Sequence, residues 1–196
     1  QANQRLEKKW NENAISGEAF DICDDMFTLT LDIIGKALFN LELPTFKNDI
    51  KRWTDVIFEF LLKIPVPVFS ELWFPSPINL RLKRTLREFD KLGLDIIQDR
   101  RAQTNPPNDF LQKLLDARDS ETGSAMTDQD IIEELLSFIL AGHETTSHTL
   151  SWTWYWLSMH PDVYSRVEQE LSQLNLEDNP DFSKMAELRY TTAAIK

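Results

Sequence analysis

A single cysteine, Cys23, stands among 196 residues. One thiol cannot close an internal disulfide, so the chain is no disulfide-stapled fold and carries no mark of an oxidising compartment. Glycine is scarce, with five in all, and alternating polar and apolar stretches are few. That excludes a sheet built from short strands and tight turns. No apolar run reaches about 18 residues, so no transmembrane helix is expected, and no signal-peptide pattern is present. Positive charge is also short. Lys plus Arg total 21 against 32 Asp plus Glu, a formal charge of −11. A general nucleic-acid binder needs a basic footprint and is excluded. Residues 81–101 are a local exception, with Arg81, Lys83, Arg84, Arg87, Lys91, Arg100 and Arg101 against four acids. They read as a solvated helix face, with a docking surface for an acidic partner as the sharper alternative.

What is present is helical periodicity. Helices are expected over 3–14, 20–39, 47–63, 78–102 and 109–117, then in one long element from about 128 to 159, over 161–174, and from about Arg189 onward. Phe27, Leu31, Ile34 and Leu38 share one stripe of the second helix, and the third carries Trp53, Ile57, Phe60 and Leu61. Pro65, Pro67, Pro75 and Pro77 forbid regular helix over 64–77. That greasy segment reads as a loop packed on the core, or else as a lid over an apolar site or a surface that touches lipid. Thr127 is placed to cap the long helix, with Asp130 completing a capping box, and Pro161 suits the first position of the next helix. The fold class is therefore all-α. The chain starts at Gln1 and stops at Lys196 inside a helix-like stretch with no capping glycine. It reads as one partial domain, 1–196, internal to a larger one.

The long helix holds the sequence's main inconsistency. Ile131, Ile132, Leu135, Leu136, Phe138, Ile139 and Leu140 lead into Ala141-Gly142-His143-Glu144-Thr145-Thr146-Ser147-His148, and Leu150, Trp152, Trp154, Tyr155 and Trp156 lead out. A helix apolar on nearly all sides is normally buried. A mid-helix glycine costs about 1 kcal/mol, and a buried carboxylate costs more unless paired or neutralised. Such rule-breaking marks a functional site. Three readings compete. In the structural one, the Thr and Ser hydroxyls bond back to carbonyls four residues earlier. In the second, His143, Glu144 and His148 serve a zinc hydrolase. The histidines are one residue further apart than in the usual metallopeptidase motif, which puts the rings about 140° apart on a regular helix. In the third, Ala141 and Gly142 clear one turn for a flat cofactor, and the turn opens locally to expose a carbonyl. Glu144 and Thr145 then form an acid–alcohol pair that passes protons into a dry pocket during oxygen chemistry.

Here the chain resembles a known family. Residues 141–146 match the (Ala/Gly)-Gly-x-(Asp/Glu)-Thr-(Thr/Ser) signature in the central helix of cytochrome P-450 haem-thiolate monooxygenases. Met126-Thr127-Asp128 with Glu133-Glu134-Leu135-Leu136 resembles that helix's entry, and His160-Pro161-Asp162-Val163 the start of the following one. Leu29-Thr30-Leu31-Asp32-Ile33-Ile34-Gly35 resembles an upstream family helix, and Leu188-Arg189-Tyr190 a later one. The resemblance implies a monooxygenase that hydroxylates an apolar organic small molecule. It implies haem, dioxygen, and electrons from NAD(P)H through a reductase or ferredoxin-type donor. It implies catalytic roles for Glu144 and Thr145, and a cofactor-facing surface at Ala141, Gly142, Thr145 and Thr146. Segment 64–77 would gate substrate entry, and the helix over 78–102 would roof the pocket.

The departures are specific. The family's Phe-x-x-Gly-x-x-x-Cys-x-Gly ligand loop is absent, as are its Glu-x-x-Arg and Trp-x-x-x-Arg pairs. Cys23 lies in Asp21-Ile22-Cys23-Asp24-Asp25 and inherits no ligand role, so no metal-binding residue is assigned. The chain alone is expected to be inactive and to hold haem weakly or not at all. A non-catalytic helical interaction domain is the alternative from another class. A soluble, cytoplasmic, bacterial-type protein is expected, with membrane attachment through an anchor preceding Gln1 as the alternative.

Overall fold

The computed structural model describes residues 2–63, 75–174 and 182–195. Those residues form α1 (Ala2–Ser16), α2 (Ile22–Phe39), a 3-10 turn (Leu43–Phe46), α3 (Lys47–Lys63), α4 (Pro77–Ala102), α5 (Phe110–Asp116), α6 (Asp128–Ile139), α7 (Thr145–Met159), α8 (Pro161–Gln173), a second 3-10 turn (Phe182–Glu187) and α9 (Arg189–Ile195). A π turn, Leu140–Glu144, joins α6 to α7. The only pairing of extended backbone among the described residues is an isolated bridge, Arg118 to Ala125. The fold is all-α, as the periodicity implied.

Local chemistry sets the helix ends. The Asp21 carboxylate accepts from the Cys23 N–H and starts α2 two residues later than expected from Phe20. Asn40 ends it at φ +49, a left-handed conformation that asparagine tolerates. Ser76 caps α4, with Pro77 at its first position. Thr127 and Asp130 form the expected capping box, each accepting from the other's backbone N–H. Prolines 65 and 67, and with them most of the expected lid or gate over 64–77, lie outside the described residues.

The core gathers around α2. Phe27, Leu31 and Phe39 of α2 meet Phe89 and Ile97 of α4, Leu111 of α5, and Ile131, Ile132 and Leu135 of α6. Gly93 lets α4 and α6 touch: a Cβ there would stand 2.7 Å from Ile132 Cγ1. Three buried charges are matched. Lys9 and the Trp10 indole N–H donate to Asp25, Arg5 donates to Asp32, and Arg100 forks onto Asp109 at 2.6 and 2.7 Å while also reaching the Phe39 carbonyl. They clamp α1 onto α2 and the end of α4 onto α5.

Leu61, one of the apolar residues that α3 carries, is exposed. One expectation is corrected. The run after the polar centre is not buried on all sides. Trp152, Tyr155 and Trp156 are about half exposed, although α2, α8 and α9 all meet α7.

Candidate functional site

Residues 128–159 are helical throughout, and the irregularity falls where the sequence breaks its own pattern. A π turn widens the ring by one residue and frees carbonyl acceptors from the i+4 ladder. Small side chains at Ala141 and Gly142 allow the widening. Hydroxyls cover carbonyls of this turn. The Thr145 hydroxyl donates to the Ala141 carbonyl at 2.6 Å and the Thr146 hydroxyl to the Gly142 carbonyl at 2.7 Å. Thr149, Ser151 and Thr153 repeat the bond further along α7. The back-bonding of the structural reading is therefore present, and it caps the carbonyls that the oxygen-chemistry reading expected to be exposed.

The turn has two different sides. Ala141, Gly142, Thr145, Thr146 and Thr149 are exposed and form a strip of small side chains and hydroxyls. His143, Ser147 and Ser151 are buried against α2. Gly142 serves this packing as well as the strip, since a Cβ there would meet Ile34 Cδ1 at 2.7 Å. The His143 ring is fully buried, edge-on to Phe27 with centroids 4.2 Å apart, and neither nitrogen has a hydrogen-bond partner. Burial pulls its pKa down to about 4, weakly opposed by the Ile139 carbonyl and helped by the neighbouring His148. His143 is thus a neutral ring at physiological pH.

Glu144 lies between the two sides. Its carboxylate turns away from the strip into a cavity of about 130 Å³ lined by Cys23 and Phe27 of α2, Lys51 and Asp55 of α3, and His148 of α7. Oε2 is buried without a partner, and Oε1 is 3.9 Å from His148 Nδ1. Burial raises its pKa. His148 and Lys51 oppose that rise, and Asp55 adds to it. Consecutive residues on a helix diverge by about 100°, so Glu144 and Thr145, adjacent in sequence, do not touch. Lys51 and Asp55 were missed in the sequence. They form an ordinary i,i+4 polar pair, and nothing local shows that they face Glu144.

The zinc reading fails on this geometry. His143 is sealed against Phe27, while the His148 side chain is 62% exposed. Among the described residues no three His, Cys, Asp or Glu side chains converge as a metal site. The strip does suit a flat ring, since nothing on Ala141 or Gly142 projects and the hydroxyls satisfy the carbonyls beneath. Cys23, on α2 beside the Glu144 cavity, lies on the other side of the turn from the strip.

Comparison with known proteins decides the family. The cytochrome P450 family model matches residues 1–196. The chain belongs to the cytochrome P450 family. It is 32% identical over 98% of its length to the self-sufficient cytochrome P450 monooxygenase CYP505E1 of Aspergillus niger, covering 18% of that protein. It is 31% identical over 98% of its length to CYP505E3 of Aspergillus terreus, covering 19%. A bifunctional cytochrome P450/NADPH–P450 reductase of Gibberella moniliformis is 28% identical over 91% of the chain and is covered to 17%. The chain thus spans about a fifth of the length of these curated relatives. They are fungal, and so lend nothing to the expectation of a bacterial-type protein. Among the described residues of this P450 chain no helix is long and apolar enough to cross a membrane.

Proposed function

We propose that this chain supplies the oxygen-activating helix and neighbouring pocket helices of a cytoplasmic haem-thiolate monooxygenase that hydroxylates an apolar organic molecule. Electrons would come from NADPH through a reductase. The relatives' names support that donor, since one is a P450/NADPH–P450 reductase and others are called self-sufficient. The observation that carries the reading is the π turn, with an open strip of small residues and hydroxyls on one side and a largely buried carboxylate on the other.

Bound haem would supply reductive dioxygen activation and oxygen insertion. Ala141, Gly142, Thr145 and Thr146 would line it. Ala141 and Gly142 keep the surface flat. Thr145 holds a hydroxyl proton at the strip, parked on the Ala141 carbonyl at 2.6 Å and released by a χ1 rotation. Glu144 holds a proton on the other side of the same turn. Burial raises its pKa, so the carboxyl keeps its proton to higher pH than an exposed glutamate does, the direction a proton donor needs. The cavity around Glu144 brings water to that acid without opening the strip.

The test is to replace each residue in the intact protein. Thr145→Ala and Glu144→Gln should each lower product formed per NADPH consumed, by about tenfold or more, with substrate affinity changed little. Unchanged coupling in both variants would remove the proton-delivery roles.

A further inference from the structure

The cavity beside Glu144 contains one group that the reading above does not use. His148 sits one turn after Glu144 on α7, its Nδ1 3.9 Å from Glu144 Oε1, with 62% of its side chain in solvent and 14% of the Glu144 side chain. It is therefore the ring that joins the buried carboxyl to bulk water. We infer that His148 is the positioning residue that controls when Glu144 carries a proton, and that it hands that proton in from solvent through the cavity among α2, α3 and α7. This inference rests on the proton-delivery role proposed for Glu144.

The step balances simply. The imidazole takes a proton from a solvent hydronium at Nε2, leaving water, and releases its Nδ1 proton to the Glu144 carboxylate at Oε1. The ring ends neutral as the other tautomer, the carboxyl ends protonated, and no electron moves. An imidazole is the side chain suited to giving and taking protons near neutral pH. The 3.9 Å gap exceeds a hydrogen bond, so transfer passes through one bridging water or a small rotamer change. A cavity of about 130 Å³ has room for the water.

The other groups facing Glu144 are less suited. Lys51 reaches in from α3 but holds its ammonium 6.0 Å above the Phe27 ring. Asp55, also on α3, opposes ionisation of Glu144 and has no proton to give when charged. Cys23 lines the α2 wall, and His143 is a sealed neutral ring whose nitrogens meet no partner.

The experiment is an infrared carboxyl titration of the intact protein with wild type, Glu144→Gln, His148→Gln and Lys51→Met. The Glu144→Gln difference identifies the Glu144 band. Because His148 lies on an exposed face, His148→Gln should fold normally. In that variant the Glu144 midpoint should rise by about half a pH unit or more, since a favourable neighbouring charge is gone. The solvent deuterium isotope effect on product formation should also grow, about twofold or more, as proton entry becomes limiting. An unmoved Glu144 band and isotope effect in His148→Gln would overturn the inference, as would both changes appearing only in Lys51→Met. If Glu144→Gln itself left coupling intact, the underlying role of Glu144 would fail instead, and the two failures are distinguished.

Discussion

His143 is the residue whose burial has the clearest energetic consequence. Its pKa lies at about 4, against 6.5 when unperturbed, because the ring is desolvated against Phe27. Between those values the unfolded chain binds a proton that the folded chain does not. Stability is therefore fully present above about pH 6.5 and drains away as pH falls toward 4. This one group accounts for roughly 3 kcal/mol of that loss. His143→Phe keeps the ring volume and removes the titration. The melting temperature of the intact protein should then fall less between pH 6.5 and 4.5 than in wild type, and parallel curves would show that the ring is not buried neutral. In sequence, His143 could be read only as a metal ligand or as the unconstrained position of a motif. Its role depends on Phe27 of α2, which no local pattern connects to it. Glu144 and Thr145 were legible, because a carboxylate and a hydroxyl inside an apolar helix stand out. The divergence of their side chains was not, since it depends on how the π turn faces α2 and α3.

The long helix was legible as one element because its caps are local. Thr127, Asp130 and Pro161 are each within a turn of the boundary they set. The small pair Ala141–Gly142 marked where it would distort, and the π turn falls there. Contacts between helices were less legible. The hydrophobic stripe of α4 gave no reason for Gly93, which α6 explains: a Cβ would come within 2.7 to 3.3 Å of three Ile132 atoms. Gly93→Ala should therefore cost about 1–3 kcal/mol despite the better helix propensity of alanine, read as a lower denaturation midpoint. An unchanged or higher midpoint would mean that α4 and α6 are not in close contact. Periodicity also failed to show which apolar faces are covered. Leu61 and the tryptophans of α7 share helical spacing with buried residues, yet α2 and α4 each shield only one side of their neighbours.

At the scale of the molecule, charge and composition gave the class but not the chemistry. An excess of acids, few glycines and one cysteine pointed to an all-α chain that does not bind nucleic acid. Only the motif within the long helix, and then the match of the family model to residues 1–196, separated a P450 from a helical interaction domain. The helices place one open strip, Ala141 to Thr149, on the side of α7 that α2 leaves uncovered. If a haem lies there, bulk added at Ala141 should block the small-ligand position without removing the cofactor. The most direct measurement is the reduced carbonyl difference spectrum of the intact protein, wild type against Ala141→Trp, with haem content determined separately. Wild type should show a thiolate-type carbonyl band. Ala141→Trp should keep its haem and lose most of that band. Full carbon monoxide binding in Ala141→Trp would place the strip away from the cofactor and contradict the proposed site.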